Sequence, residues 1–390
     1  MNENSDRLFT PRFFVMCGFT FTVFLSAFQL FPTAPFRIID LGGTKSTAGL
    51  FLGLLTYGSA LSAPFTGGLS DRLGKKRTLV LTSSVLTLFS IAYGVSTNYS
   101  LPLILVVPHG IFWSGLLSAS SAYMADIIPE GRRAEGIGYW GISSVIAIAL
   151  APSLGLWLYH FGWEWLCGCM AVMNLVMTLI AMKLQKDRPV PLLPVRGSWV
   201  RSLVEWRVLI LSITLFLYSF GHGGITSFSA LYAQAYGIEP HGIYFTTMAI
   251  AVLLVRPFSG TLADRLGTRR VFLPSLALIA CGMGMLAWGE TRGWLIASAL
   301  VYGAGLGTTY PVFSAYILEH VSPQRRGAAF GSVLAAFDIG IGSGSIVVGN
   351  VIDLYGFHVA FGLATSLAML SIPYFLLVEK RVRVSGSKDR

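Results

Sequence analysis

The chain has 390 residues, of which 54% are hydrophobic and only 12% are charged. Soluble domains carry about 25% charged residues, so this composition excludes a soluble domain and predicts an integral membrane protein. The net charge of +10 fits an uneven distribution of basic loops and contact with anionic lipid better than nucleic-acid binding.

Twelve apolar runs are long enough to cross a hydrocarbon core of about 30 Å, which requires about 20 helical residues. In chain order these predicted spans are 13–35, 46–68, 78–97, 102–127, 136–159, 163–182, 208–234, 242–260, 270–289, 293–318, 327–351 and 357–378. A spanning backbone must satisfy its own hydrogen bonds, and the period-2 alternation of a barrel strand is missing from the runs. The sequence therefore predicts an all-α membrane protein with twelve transmembrane helices.

The first span carries a polar stripe, because Ser26, Gln29 and Thr33 follow one another at helical spacings of three and four residues. The fourth span places His109, Phe112, Trp113 and Leu116 on one face, and the fifth adds Tyr139 and Trp140. Together the aromatic and histidine side chains favour a site for an amphipathic or aromatic compound. An aromatic stripe that faces lipid or packs in the core is the alternative.

Basic residues lie mainly on one side of the predicted spans. This side carries Arg72, Lys75, Lys76, Arg77, Arg132, Arg133, the basic residues of 183–207, Arg265, Arg269, Arg270, Arg325, Arg326 and those of both termini. The other side has Arg37, Lys45 and Arg292. The positive-inside rule therefore predicts that both termini and the central linker are cytoplasmic.

The long connection 184–207 combines three prolines with a stretch in which Trp, Val and Leu alternate with Arg. This pattern predicts an extended segment followed by a short helix on the inner leaflet. The other loops are short, and the four cysteines fall within predicted spans, where we expect small packing residues rather than disulfides or metal ligands. They are Cys17, Cys167, Cys169 and Cys281.

The second half of the chain repeats the first with a displacement of 193 residues. Pro64 to Gly74 returns as Pro257 to Gly267, Ser121-Ala122-Tyr123 as Ser314-Ala315-Tyr316, and Arg132-Arg133 as Arg325-Arg326. We therefore predict two pseudo-symmetric six-helix halves, 1–183 and 208–390, which the linker 184–207 connects. The same displacement carries the polar stripe onto Ser219, His222 and Thr226.

Two such stripes at one depth predict a central cavity between the halves, with Gln29 and His222 facing each other. We expect Ser26, Gln29, His222 and Thr226, together with His109, Phe112, Trp113 and Trp140, to contact the substrate. The alternative is that each stripe forms hydrogen bonds buried within its own half, which requires suitable partners twice.

Two ionisable side chains lie deep inside predicted spans, where a charge costs about 2.5–3.5 kcal/mol. Asp338 is 11 residues beyond the start of its span, or roughly 16 Å deep, and Arg256 lies roughly 12 Å inside the boundary. We expect Asp338 to carry a proton, with Arg256 and His222 as further members of the coupling site. The alternatives are a packing role for Asp338 and a guanidinium of Arg256 that reaches the interface.

The repeated loop Gly67-x-Leu69-x-Asp71-Arg72-x-Gly74-Lys75-Lys76 resembles the signature loop of the major facilitator superfamily. Six plus six spans, the basic linker and the cytoplasmic termini match that family over nearly the whole chain. The runs Arg256-Pro257-Phe258-Ser259-Gly260 and Phe337-Asp338-Ile339-Gly340 are similar to the drug and sugar (arabinose-type) efflux permeases of the proton-antiporter group.

The resemblance implies a gating latch on the cytoplasmic side, since a helix N-terminus attracts a carboxylate. Asp71 would lie against the start of span 11 near Gly327, and Asp264 against the start of span 5 near Gly136. Lys75 would pair with Asp126, with Arg72 and Arg265 beside the acids. In the second copy Thr268 replaces the lysine and Glu319 is the acidic partner. This half has therefore lost the corresponding ion pair or forms it with Arg269. The alternative is a solvated basic loop that only fixes topology.

Nucleophile elbows, phosphate-binding loops and metal-spaced clusters are absent from the sequence, so we expect no enzyme, no cofactor and no metal. The resemblance implies a monomeric secondary transporter in the inner membrane of a bacterium, which exports a small organic solute in exchange for protons by alternating access. Val106 stands where the resembled family has an Arg, and Ala147 where it has a glycine, which leaves uptake by symport or uniport open. A non-transporting membrane sensor is a more remote alternative.

Overall fold

The computed structural model describes residues 8–129, 132–185, 206–321 and 326–386. In these ranges eleven α-helices follow one another. They are α1 Pro11–Asp40, α2 Lys45–Leu73, α3 Lys75–Gly94, α4 Ser100–Ile127, α5 Arg133–Phe161, α6 Trp163–Lys183, α7 Trp206–Ala235, α8 Ile243–Leu266, α9 Thr268–Leu286, α10 Arg292–His320 and α11 Arg326–Gly386.

Within the described ranges, all eleven helices are long and apolar enough to cross a membrane. The last helix, α11, is 61 residues long, and Gly356 inside it has non-helical angles of φ 83° and ψ 174°. The predicted spans 327–351 and 357–378 lie on either side of this glycine. The all-helical prediction is confirmed, whereas the count of twelve spans stays a prediction.

Two helices end before the sequence predicts, and by the same amount. The third predicted span runs to 97 and the ninth to 289, but α3 ends at Gly94 and α9 at Leu286. At the end of α3 the N–H of Val95 donates to the Ile91 carbonyl and that of Ser96 to the Tyr93 carbonyl. This tightened last turn satisfies the final carbonyls, so apolar residues beyond it do not extend the helix.

A single glycine makes each of the two repeated turns. Gly74 joins α2 to α3 with φ 89° and ψ 139°, and Gly267 joins α8 to α9 with φ 89° and ψ 141°. A positive φ of this size is unfavourable for a residue with a Cβ, which explains a glycine at both positions. The two copies of the signature loop thus share their backbone conformation as well as their sequence.

Small residues on α5 allow a close approach of α1. Ala147 and Ala151 are fully buried against Leu25. One turn further, a Cβ on Gly155 would lie 2.7 Å from the carbonyl oxygen of Gln29. Ala147, which stands where the resembled family has a glycine, therefore still permits the helix packing, as is common for small residues between membrane helices.

The chain forms two compact units. Unit 1 consists of Met1–Thr33 and Leu61–Pro194, and unit 2 of Ala34–Ala60 and Val195–Arg390. The division cuts α1 and α2, so the end of α1 and the first part of α2 belong to the same unit as α7–α11. The predicted helix on the inner leaflet lies outside the described residues.

Candidate functional site

The deep carboxylate of unit 2 lies beside a cluster of aromatic rings. Asp338 is partly buried on α11. The adjacent Phe337 packs against Tyr218 and Tyr310, with ring centroids 6.0 and 5.8 Å apart. Tyr310 also lies close enough to Asp338 and Arg256 for both charges to act on its hydroxyl group. A group that can hold a proton is thus partly buried near the Tyr310 hydroxyl, and the residue before it lies in an aromatic cluster.

Arg256 lies on α8, and its side chain is exposed. This placement is consistent with a guanidinium that reaches towards the interface along its aliphatic stem. Tyr310 is the aromatic residue that lies near both Arg256 and Asp338.

His222 pairs with a tyrosine within unit 2. Its Nδ1 lies 2.8 Å from the Tyr302 hydroxyl. The imidazole stacks on the Tyr302 ring at 6.1 Å and contacts Phe337 at 6.2 Å. Phe337 therefore contacts the ring of His222 and directly precedes Asp338 in the chain.

The polar stripe of α1 forms its hydrogen bonds inside unit 1. Ser26 donates to Asn174 Oδ1 at 3.1 Å. Gln29 Nε2 donates to the Leu25 carbonyl at 2.8 Å and contacts Met173 Sδ at 3.4 Å. Gln29 is fully buried, and Thr33 Oγ1 donates to the Gln29 carbonyl at 2.7 Å.

The matching stripe of α7 has partners inside unit 2. Ser219 donates to the Phe337 carbonyl at 3.0 Å, His222 pairs with Tyr302, and Thr226 is buried with 9% of its surface exposed. Hydrogen-bond partners therefore exist for both stripes, and the hydrogen bonds of Ser26, Gln29 and Ser219 fit the packing alternative. The amide nitrogen of Gln29 is used within its own helix and by α6, and the orientation of Gln29 towards a cavity stays a prediction.

His109 lies in the interior of unit 1. Its Nδ1 is 3.0 Å from the Tyr93 hydroxyl, and its ring stacks on Phe89 with centroids 5.6 Å apart. Asn174 extends this polar region, because its Nδ2 donates to Ser90 Oγ at 2.9 Å. A buried polar group costs little when it is paired, and in unit 1 the pairing joins α1, α3, α4 and α6.

The aromatic side chains of α4 and α5 lie in different surroundings. Trp113 is buried and packs edge-on against Phe24 at 5.6 Å, and Phe112 contacts Phe89 at 6.1 Å. On α5, Trp140 Nε1 donates to Thr20 Oγ1 at 2.7 Å. Tyr139 is 47% exposed, which places it outside the packed interior.

The loop between α2 and α3 carries the ion pair that the resemblance implies, since Lys75 Nζ binds a carboxylate oxygen of Asp126. Arg72, Asp264 and Arg265 are exposed. The side chains of Asp71 and Glu319 lie outside the described residues. The role of these groups in gating stays a prediction.

The second copy of the loop uses a different acid. Arg269 Nε lies 3.3 Å from Glu379 Oε2, and the Glu379 side chain is 1% exposed. The sequence leaves open whether Arg269 replaces the missing lysine, and the structure gives it a carboxylate from the end of α11. Thr268 begins α9, so the basic partner has moved one residue along the helix.

We predict that Arg269→Ala lowers the free energy of unfolding by about 1–2 kcal/mol, because it removes a cationic partner from a buried carboxylate. The figure is below that of a fully buried pair, since the Arg269 side chain is 43% exposed. Thermal unfolding in detergent measures the effect. The double variant Arg269→Ala with Glu379→Gln should recover part of the loss; equal stability of Arg269→Ala and the unmodified chain would contradict the assignment.

Several residues of these clusters were not predicted from the sequence. Tyr302 could have been found, because the displacement of 193 residues that relates Gln29 to His222 also relates His109 to Tyr302. Asn174 and Glu379 have no counterpart in the repeat or in the motifs. Tyr218 and Tyr310 are aromatic residues in apolar spans and belong to no motif, which is true of many lipid-facing residues as well.

Comparison with known proteins supports the membrane-transport character of the fold. The family model of the Major Facilitator Superfamily matches residues 16–244 and 211–390. A multidrug resistance protein, MdtG, of Escherichia fergusonii is 26% identical over 369 residues, which is 90% of each chain. The staphylopine export protein of Staphylococcus aureus is 22% identical over 337 residues, covering 83% of this chain and 85% of the relative.

Solved structures show the same fold. The nucleoside transporter NupG superposes with a TM-score of 0.76 at 16% identity, covering 95% of this chain and 100% of the other. The human organic anion transporter MFSD10 gives a TM-score of 0.69 at 19% identity, with 94% and 100% covered. The chain therefore belongs to the Major Facilitator Superfamily and is a transporter rather than an enzyme.

Proposed function

We propose that this protein is a secondary active transporter of a bacterial inner membrane, which exports a small organic solute in exchange for protons by alternating access. The observation that carries the proposal is Asp338, a carboxylate on a membrane-spanning helix that follows Phe337 in the chain, and the Phe337 ring packs against Tyr310 and His222. Ionisation of Asp338 is costly in the membrane, so a proton and a substrate can compete for the same state of the carrier.

The architecture that we propose has twelve spans in two six-helix halves. Gly356 has non-helical angles and divides α11 into two stretches. In this proposal each stretch is one of the last two spans. The equal backbone angles of Gly74 and Gly267 support the two-half arrangement. Both termini are cytoplasmic in this proposal, as the basic loops predict.

The candidate substrate contacts differ in which of their polar groups already have hydrogen-bond partners. Among the described residues, His222 has one hydrogen bond, through Nδ1 to Tyr302, which leaves Nε2 for a ligand or a proton. Thr226, Phe112 and Trp113 remain candidates by their chemistry, as does the ring of Trp140, whose N–H donates to Thr20. Ser26, His109 and the amide nitrogen of Gln29 form hydrogen bonds within unit 1, so we give these groups a supporting role.

The nature of these groups favours an aromatic or amphipathic solute over a highly charged one. The names of two relatives, a multidrug resistance protein and a staphylopine export protein, support export. The second candidate function is uptake by symport or uniport. It is favoured by Val106, which is fully buried where the efflux permeases that this chain resembles have an Arg.

Everted membrane vesicles test the proposal. Respiration acidifies their interior, and a pH-sensitive dye reports the gradient while a panel of drugs and metabolites is added. Export with antiport predicts that a substrate accumulates inside the vesicles and that the dye signal recovers on its addition. Vesicles without the protein are the control. Substrate flux with no change of the dye signal would favour a uniporter, and binding without flux would favour a sensor.

A further inference from the structure

The first turn of α2 is held by the stretch of α11 just before the Gly356 bend, inside unit 2. The N–H groups of Lys45 and Ser46 donate to the two carboxylate oxygens of Asp353 at 3.2 and 2.7 Å. The next N–H, of Thr47, donates to the Thr44 hydroxyl at 3.2 Å. The first four N–H groups of a helix have no partner within it, and here Asp353 satisfies two of them.

Side chains on either side of the bend add to this contact. Ser46 Oγ donates to Asn350 Oδ1 at 2.6 Å. Beyond the bend, the Lys45 ammonium lies 5.0 Å from the centroid of the Phe357 ring. Gly356, with its positive φ, separates the two contacts. Asp353 before it binds the backbone N–H groups at the start of α2, and Phe357 after it contacts the Lys45 side chain.

From these residues as far as Tyr57 and Ser343, α2 and α11 stay in close contact for several turns. Ser345 Oγ donates to the Gly49 carbonyl at 2.9 Å, and Tyr57 and Ser343 form a hydrogen bond of 2.7 Å. A Cβ on Gly349 would lie 2.5 Å from the Lys45 carbonyl, and one on Gly49 would overlap the Ser345 carbonyl. Such backbone contact leaves no route for a solute between α2 and α11.

We propose that Asp353 and Phe357 form an outer latch, which holds the start of α2 against α11 and closes the side of the membrane that the charge distribution predicts to be outer. Releasing Asp353 from the helix N-terminus or Lys45 from the ring shifts the protein towards states that are open on that side. The latch goes beyond the sequence-predicted loops of the inner side and uses different residues. It rests on the alternating access of the proposed function.

The test measures access to Thr56, which is 6% exposed and lies eleven residues after Lys45, or about 16 Å along α2. The four cysteines are replaced by alanine and Thr56 by cysteine, and right-side-out vesicles are treated with a membrane-impermeant maleimide. Loss of a carboxylate at a helix N-terminus should raise the labelling rate about two- to fivefold in Asp353→Asn. Lys45→Gln should raise it as well, whereas Lys45→Arg should keep the original rate, because arginine preserves the cation over the ring.

Glu164→Gln is the matched control, since Glu164 is an exposed acid at the start of α6 on the same predicted side. A second variant, Gly49→Ala, separates the helices sterically and shows that the assay responds to opening. Gel filtration verifies that each variant is folded. Equal labelling rates in Asp353→Asn and the unmodified chain, with Gly49→Ala labelled faster, overturn the latch.

The labelling experiment needs no substrate, so its outcome is independent of the vesicle assay. A protein that exports solute but labels equally in all variants contradicts the latch and keeps the proposed function. A protein that labels as expected but moves no solute contradicts the proposed function alone.

Discussion

Asp338→Asn should abolish net transport driven by a pH difference in everted vesicles. The amide has nearly the shape of the protonated acid but cannot release a proton, so the carrier stays in the form that a protonated Asp338 would have. Exchange of labelled for unlabelled substrate at equal pH should survive, because it requires conformational cycling without release of the proton. Asp338→Glu, which keeps an acid at this position, should retain at least part of the coupled transport.

Glu164→Gln is again the control, because it removes an exposed acid that is not part of the aromatic cluster. Each variant is assayed at equal expression and with its thermal midpoint measured, which separates loss of coupling from loss of folding. If Asp338→Asn still expels substrate against its gradient, Asp338 is a packing residue and His222 becomes the next proton-carrier candidate. Transport by the unmodified chain that is indifferent to pH would instead favour uniport.

Gly344→Ala should strongly destabilise the protein. A Cβ at this position would overlap the backbone carbonyl of Phe220, and two packed helix backbones cannot move apart without losing their contacts. Overpacking of this kind costs about 1–3 kcal/mol or more. Gly223 meets the Ile341 carbonyl in the same way, so the close approach of α7 and α11 depends on glycine from both helices.

Gly18→Ala is the matched control, because nothing lies within 4 Å of a Cβ at that position. Alanine stabilises an exposed helix by about 1 kcal/mol relative to glycine, so this control should melt at or above the temperature of the unmodified chain. Heating followed by gel filtration gives the midpoints. A Gly344→Ala variant that melts no lower than Gly18→Ala would show that α7 and α11 can separate at little cost.

The sequence is sufficient to predict the helices, because length and hydropathy identify the segments that can cross a membrane. The ends of α3 and α9 could not be predicted, since the turn that closes them depends on backbone hydrogen bonds rather than on polarity. The repeat predicts that the two copies correspond, and the equal angles of Gly74 and Gly267 follow from it.

Side-chain partners are harder to predict than helices. The stripe of Ser26 and Gln29 has the same spacing whether it faces a cavity or a neighbouring helix, so the spacing does not reveal Asn174 and Met173 on α6 as partners. Glu379 could not be assigned to Arg269, because more than 100 residues separate them in the chain. The prediction of Asp338 as a deep carboxylate needed only its position along the span, whereas the rings that pack against the neighbouring Phe337 come from α7 and α10.

The first part of α2 belongs to the same compact unit as α7–α11, which limits how the protein can be taken apart. A polypeptide that began after the linker would lack residues 34–60 and would leave the α11 surface around Gly342, Ser345 and Gly349 without the helix that covers it. Chimeras that exchange one half for that of a relative must therefore match this surface to the incoming α2. A swap at the linker alone combines α2 from one protein with α11 from another. The surfaces along which these two helices pack are then not matched.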